Sequence, residues 1–183
     1  GWVDTRAAVP LNIFVGILQV ITPTYLIFTA DGNNTQIQAA SGLYLFGFTY
    51  LYVAFNLWND LDGTGLGYFS LFVAICAVVY AVISFRDKDY AFGVIWIYWS
   101  FLWLLFFFLL GRGQESLGRY TGAVAAVQGW VTGAIPAFLL LTGGWKELAS
   151  KNLAIGLAVF GVVVFGALAV LVKPERSTAP ATA

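Results

Sequence analysis

Six long apolar runs, each free of charged residues, organise this chain. Its acidic and basic side chains fall at Asp4, Arg6, Asp31, Asp60, Asp62, the run from Arg86 to Asp89, Arg112, Glu115, Arg119, Lys146, Glu147, Lys151, Lys173, Glu175 and Arg176. The uncharged windows between them cover 7–30, 32–59, 63–85, 90–111, 120–145 and 152–172. Each holds at least about 20 residues, enough as a helix to cross a hydrocarbon layer of roughly 30 Å. A charge at the centre of such a span costs about 2.5–3.5 kcal/mol on the insertion scale. The windows are continuously apolar rather than alternating, which excludes the strands of a membrane barrel. The pattern predicts an all-α integral membrane protein. Its spans fall at about 11–30, 36–58, 67–85, 90–110, 120–142 and 152–172, within one bundle over 1–176, followed by a disordered tail over 177–183.

The connections carry turn chemistry. Asp31-Gly32-Asn33-Asn34, the stretch from Asp60 to Gly65, and Arg86-Asp87-Lys88-Asp89 close the first three joints. Gly111 to Gly113 and Gly143-Gly144 stop the fourth and fifth helices. No loop is long enough for a soluble domain. Composition agrees: 60% of residues are hydrophobic and 10% charged, against roughly 25% charged in a soluble domain. The chain begins with glycine and contains no methionine, so further sequence is expected ahead of it. Placing 1–10 and the C-terminal tail on the cytoplasmic side gives that side Arg6, Arg112, Arg119, Lys173 and Arg176. The other side has Arg86, Lys88, Lys146 and Lys151, so the positive-inside count favours this orientation by one.

Several chemistries are excluded by what is missing. There is no histidine, and Cys76 is the single cysteine, so neither a metal site, a His-based triad nor a disulfide can be built. No catalytic residue, metal or cofactor is expected. The formal net charge is zero, and nothing argues for nucleic acid. No acid or base lies at mid-depth to run a charge-coupled pump. The polar groups inside the spans are neutral: Asn12, Gln19, Asn56, Gln128, Thr132 and several tyrosines. Pro23 and Pro136 cannot donate to the carbonyls of Gln19 and Thr132. Gln128, Thr132 and Pro136 repeat every four residues and so share one helix face. A kinked helix healed by packing would carry the same signature.

The fourth span holds an aromatic stripe: Phe92, Trp96, Trp99, Trp103 and Phe106, spaced 4, 3, 4 and 3. Tryptophan gathers at membrane interfaces, which accounts for Trp58 and Trp145 near helix ends but not for Trp99 at mid-span. An indole wall with a few N–H and O–H groups suits a flat, neutral, polar solute. Helix packing alone would also produce such a stripe, because Tyr98, Phe101, Phe107 and Phe108 surround it.

Leu45-Phe46-Gly47-Phe48-Thr49-Tyr50-Leu51-Tyr52, Ser70 to Ile75, the three tryptophans and Ile135-Pro136-Ala137 stand in one order. In this they resemble the AmiS/UreI family of bacterial urea channels and short-chain amide transporters. The likeness covers about 3–142, including Asn12 to Gly16 near the start. It implies one pore per protomer and a homohexameric ring in the bacterial inner membrane. It also implies that Phe46, Tyr50, Trp96, Trp99 and Trp103 line the pore, with Trp99 and Trp103 near a constriction. Phe92 stands where the urea channel has another tryptophan, and Gln128 where it has glutamate, so the pore resembles a neutral variant of the amide-transporter branch. The family's first helix has no counterpart here, and 152–172 lies beyond the family's usual end. Either the intact protein has seven helices with the first ahead of this chain, the reading the start without methionine favours, or 152–172 takes the first helix's place. The acid-activated members carry a long first outer loop rich in titratable groups. The matching stretch Ala30 to Gln36 is short and holds Asp31 alone. The expected function is a passive channel for acetamide, formamide and urea that acid does not gate. A non-transporting structural or assembly subunit in the bilayer is the alternative.

Overall fold

The computed structural model describes residues 3–174, in which every regular element is helical. The predicted tail over 177–183 lies outside them. Six helical stretches are long and apolar enough to cross a membrane: Arg6–Phe28, Asn34–Asn59, Thr64–Arg86, Tyr90–Gly111, Glu115–Leu141 and Lys151–Leu171. We designate the α-helices α1 (Val9–Phe28), α2 (Asn34–Asn59), α3 (Thr64–Arg86), α4 (Tyr90–Phe106), α5 (Gly118–Gln128), α6 (Ile135–Leu141), α7 (Trp145–Leu148) and α8 (Lys151–Leu171). They form two compact units that divide within α3, between Phe69 and Ser70.

The first unit is the α1–α2 hairpin with the start of α3. Asn33 caps α2 by accepting from the Gln36 N–H at 3.2 Å, and Gln36 Nε2 donates back to the Leu26 carbonyl at 3.1 Å. The Gln19 carbonyl that Pro23 leaves without its helical donor points at Gly47: a Cβ built there would lie 2.9 Å from that oxygen. Glycine therefore lets two backbones touch where apolar side chains alone would hold them apart. The Thr24 hydroxyl donates to the Val20 carbonyl at 2.7 Å, so at its 2.7 Å contact with Tyr44 it accepts. At the other end, Arg6 pairs with Asp60, an exposed ion pair worth no more than about 1 kcal/mol. Asp60 itself is left-handed, at φ 52°. Asp62 Oδ1 then accepts from both the N–H and the hydroxyl of Thr64, each at 2.6 Å, at the start of α3.

In the second unit, Val73, Ala74, Ala77 and Ala81 give α3 one fully buried face of small residues. Ser100 of α4 donates to the Ala74 carbonyl at 2.9 Å. Asp89 caps α4 through the Phe92 N–H at 3.2 Å. The helix then widens into a π-helical turn over Phe107–Gly111 and reverses at Gly113, φ 64°. The kink expected at Pro136 takes a specific form. α5 opens into a π-helical stretch over Gly129–Ala134, and α6 restarts with Pro136 in its first turn, where a missing N–H costs nothing. Gly143 stops that helix at φ 79°. α7 was not foreseen, and it turns Trp145 inward. The position expected at an interface is 8% exposed and packs with Ala91 and Ile95.

Candidate functional site

The polar site lies in the second unit, where α4 meets the α5 π-helical stretch. Trp99 Nε1 donates to Thr132 Oγ1 at 2.8 Å. The same hydroxyl donates to the Gln128 carbonyl at 2.8 Å. The four-residue spacing of 128 and 132 permits this back-bond, and it aims the hydroxyl's free lone pair at the indole. Gln128 Nε2 donates to the Tyr98 carbonyl at 2.9 Å. A carbonyl can only accept, so the amide nitrogen must face it and Oε1 is turned away. Gln128 is 1% exposed, and Oε1 has no hydrogen-bond partner. A buried amide oxygen left unmet costs about 1–3 kcal/mol. The site thus presents an unsatisfied acceptor and is held by three neutral hydrogen bonds.

The aromatic wall is built around this network. Trp96 stacks on Tyr80 of α3, ring centroids 4.5 Å apart, and meets Trp99 edge to face at 4.8 Å. Trp99 is half-buried, whereas Trp96 and Trp103 are buried. Phe92, one turn before Trp96, packs on Trp145 with centroids 5.1 Å apart. The structure therefore joins Trp96, Trp99, Gln128 and Thr132 in one cluster, with Phe92 and Trp103 along the same helix. Phe46, half-buried, and Tyr50, 37% exposed, lie on α2 in the first unit. Among the described residues no group of three or more His, Cys, Asp or Glu could hold a metal.

Two participants escaped the sequence reading. Tyr98 stood among the aromatics that blurred the tryptophan stripe, yet its carbonyl receives Gln128 and its hydroxyl donates to the Leu157 carbonyl of α8. Tyr80 supplies the stacking face for Trp96. Neither has a spacing signal, because each acts across helices.

The comparisons with known proteins bear on the same segment. A 51% identical relative over 165 residues, from Mycolicibacterium smegmatis, is named as an amidate substrates transporter; the match covers 90% of this chain and 78% of that protein. A Rhodococcus erythropolis protein named as the transporter AmiS2 is 45% identical over 178 residues, covering 97% of this chain and 85% of its own. The crystal structure of the Helicobacter pylori urea channel superposes with a TM-score of 0.69 at 31% identity, over 78% of this chain and 87% of that one. The family model for AmiS/UreI transporters matches residues 1–144, which takes in the tryptophan stripe, Gln128, Thr132 and Pro136. On that match, and on six membrane-capable helices, this chain is a multi-pass membrane protein that belongs to the AmiS/UreI family.

Proposed function

We propose that the protein is a passive channel for small uncharged amides, acetamide and formamide as well as urea, across the bacterial inner membrane. The observation that carries this reading is the buried, neutral Trp99–Thr132–Gln128 network with its unmet Oε1 acceptor. Indole faces replace part of a flat solute's hydration by dispersion and stacking, and the amide oxygen accepts one of its N–H groups. An ion finds no compensating charge there and pays its full dehydration. Relatives named for amidate and urea transport support the permeant class. In this reading Phe92, Trp96, Trp99, Trp103, Gln128 and Thr132 line the path. The channel assembles as a homohexamer with one pore per protomer, with residues 1–10 and the C-terminal tail on the cytoplasmic side. Proteoliposomes of the pure protein should release labelled acetamide and urea far faster than empty vesicles, while planar bilayers show no unitary current. Unitary conductance at neutral pH, or amide efflux no faster than from empty vesicles, would overturn the reading.

Acid should not gate this channel. With no histidine, no side chain has an unperturbed pKa between pH 5 and 8. The Thr64 hydroxyl, and then the Thr64 N–H, hold the exposed Asp62 carboxyl below its ordinary value. A carboxylate with a depressed pKa contributes its full stabilisation above the unfolded value, near pH 4, and loses it only as pH falls through the lower folded one. That window lies below the range of interest. Amide flux should therefore stay flat within about twofold from about pH 5 to about pH 8. Stopped-flow measurements giving a several-fold rise on acidification would contradict this.

A further inference from the structure

The family match ends at residue 144, yet α8, which begins at Lys151, is bound to the same turn of α4 that carries the polar site. Tyr98 forms the junction. Its ring meets Phe165 of α8 edge to face, centroids 5.0 Å apart, and lies in a notch at Gly161, where a Cβ would come within 2.6 Å of it. Its hydroxyl donates to the Leu157 carbonyl. A second tyrosine repeats the contact from α5: Tyr120 donates to the Phe165 carbonyl at 3.1 Å. Helical carbonyls have a second lone pair for such a donor. In a bilayer a phenolic hydroxyl without one is costly, so these two bonds resist sliding of α8. Apolar fit against lipid would not, because lipid is as apolar as leucine.

The main chain of the same residue faces the other way. The Tyr98 carbonyl receives Gln128 Nε2, and the adjoining Trp99 indole is held on Thr132. Displacing Tyr98 shifts the anchor of Gln128 and the root of Trp99 together. We propose that α8 is a positioning element for the amide site, acting through Tyr98, so that its docking sets the discrimination between carboxamides and urea. Gln128 Oε1 and the Trp99 face would otherwise remain present but out of register. The inference rests on the channel reading for its transport consequence and on the geometry alone for its structural one.

The test uses the full chain in lipid nanodiscs and proteoliposomes. Tyr98→Phe keeps the ring and deletes the bond to Leu157; Gly161→Ala fills the notch. Both should change the acetamide-to-urea permeability ratio at least about threefold, which corresponds to one modest hydrogen bond. Val162→Ala, on the 79% exposed side of α8, should leave the ratio as in the parent. A merely structural tie would lower both permeabilities by one factor. That result, or an unchanged ratio in Tyr98→Phe, overturns the proposal. An independent readout is the Trp99 indole N–H resonance, assigned by its loss in Trp99→Phe. It should move in Tyr98→Phe and stay fixed in Val162→Ala, and a fixed resonance in Tyr98→Phe overturns the coupling. If the parent transports neither solute, the channel reading fails, while this resonance still decides whether α8 positions the site.

Discussion

Replacing Trp99 by phenylalanine should slow acetamide permeation by roughly threefold to tenfold without reducing the yield of assembled protein. The phenyl ring retains an aromatic face but has no N–H, so the 2.8 Å bond to Thr132 is lost. A neutral hydrogen bond has a net worth of about 0.5–1.5 kcal/mol, and 1.36 kcal/mol is tenfold in rate. The loss falls on the site rather than on the fold, because Thr132 keeps its bond to the Gln128 carbonyl and Trp96 keeps its stack on Tyr80. Thr132→Val is the stricter partner experiment. It keeps the shape but strands the Trp99 N–H, for a cost of about 1–3 kcal/mol. Its effect on permeation should equal or exceed that of Trp99→Phe, and the double variant should fall well short of the product of the two, as members of one network do. Labelled-acetamide uptake decides between the readings. If both single variants transport like the parent, the tryptophan stripe is packing and nothing more.

Gly47→Leu should abolish accumulation of folded protein, and Gly47→Ala should lower the thermal midpoint measured in detergent. At this position a Cβ meets the Gln19 carbonyl oxygen at 2.9 Å, its carbon at 3.0 Å and Val20 Cγ2 at 3.0 Å. Two of these are backbone atoms, which cannot swing aside as a side-chain end would, so α1 and α2 must separate. Overpacking of this kind costs about 1–3 kcal/mol for a single methyl, and a leucine adds three more carbons. Gly122→Ala is the contrasting control. It lies within α5 and its added methyl meets nothing within 4 Å, so the midpoint should not fall. Equal midpoints for the parent and Gly47→Ala would show that the two helices have slack at their crossing.

The chain alone determined the solvent and the six membrane-capable helices of the described residues. Bilayer insertion acts on each residue separately: a charge is expensive wherever it lies in a span, so eighteen charged positions were enough to delimit six helices. Proline and glycine act locally too, which is why the carbonyl freed by Pro23, the irregularity before Pro136 and the reversals at Gly113 and Gly143 could all be read from the sequence. The resemblance carried by Phe46 to Tyr52, the tryptophans and Ile135-Pro136-Ala137 led to the family that the matches then established.

Only the tertiary structure decided what meets what. The freed Gln19 carbonyl faces Gly47, the Trp99 indole finds the Thr132 hydroxyl, Gln128 anchors to Tyr98, and Trp145 turns inward through an unforeseen helix. Within a membrane, apolarity no longer distinguishes a helix's buried face from its lipid-facing one. Val73 is fully buried and Val162 is 79% exposed, though both are valines in uncharged spans. Which face packs is settled by steric closeness and by pairing polar groups across helices. Those are properties of two surfaces at once, and no periodicity along one chain segment encodes them.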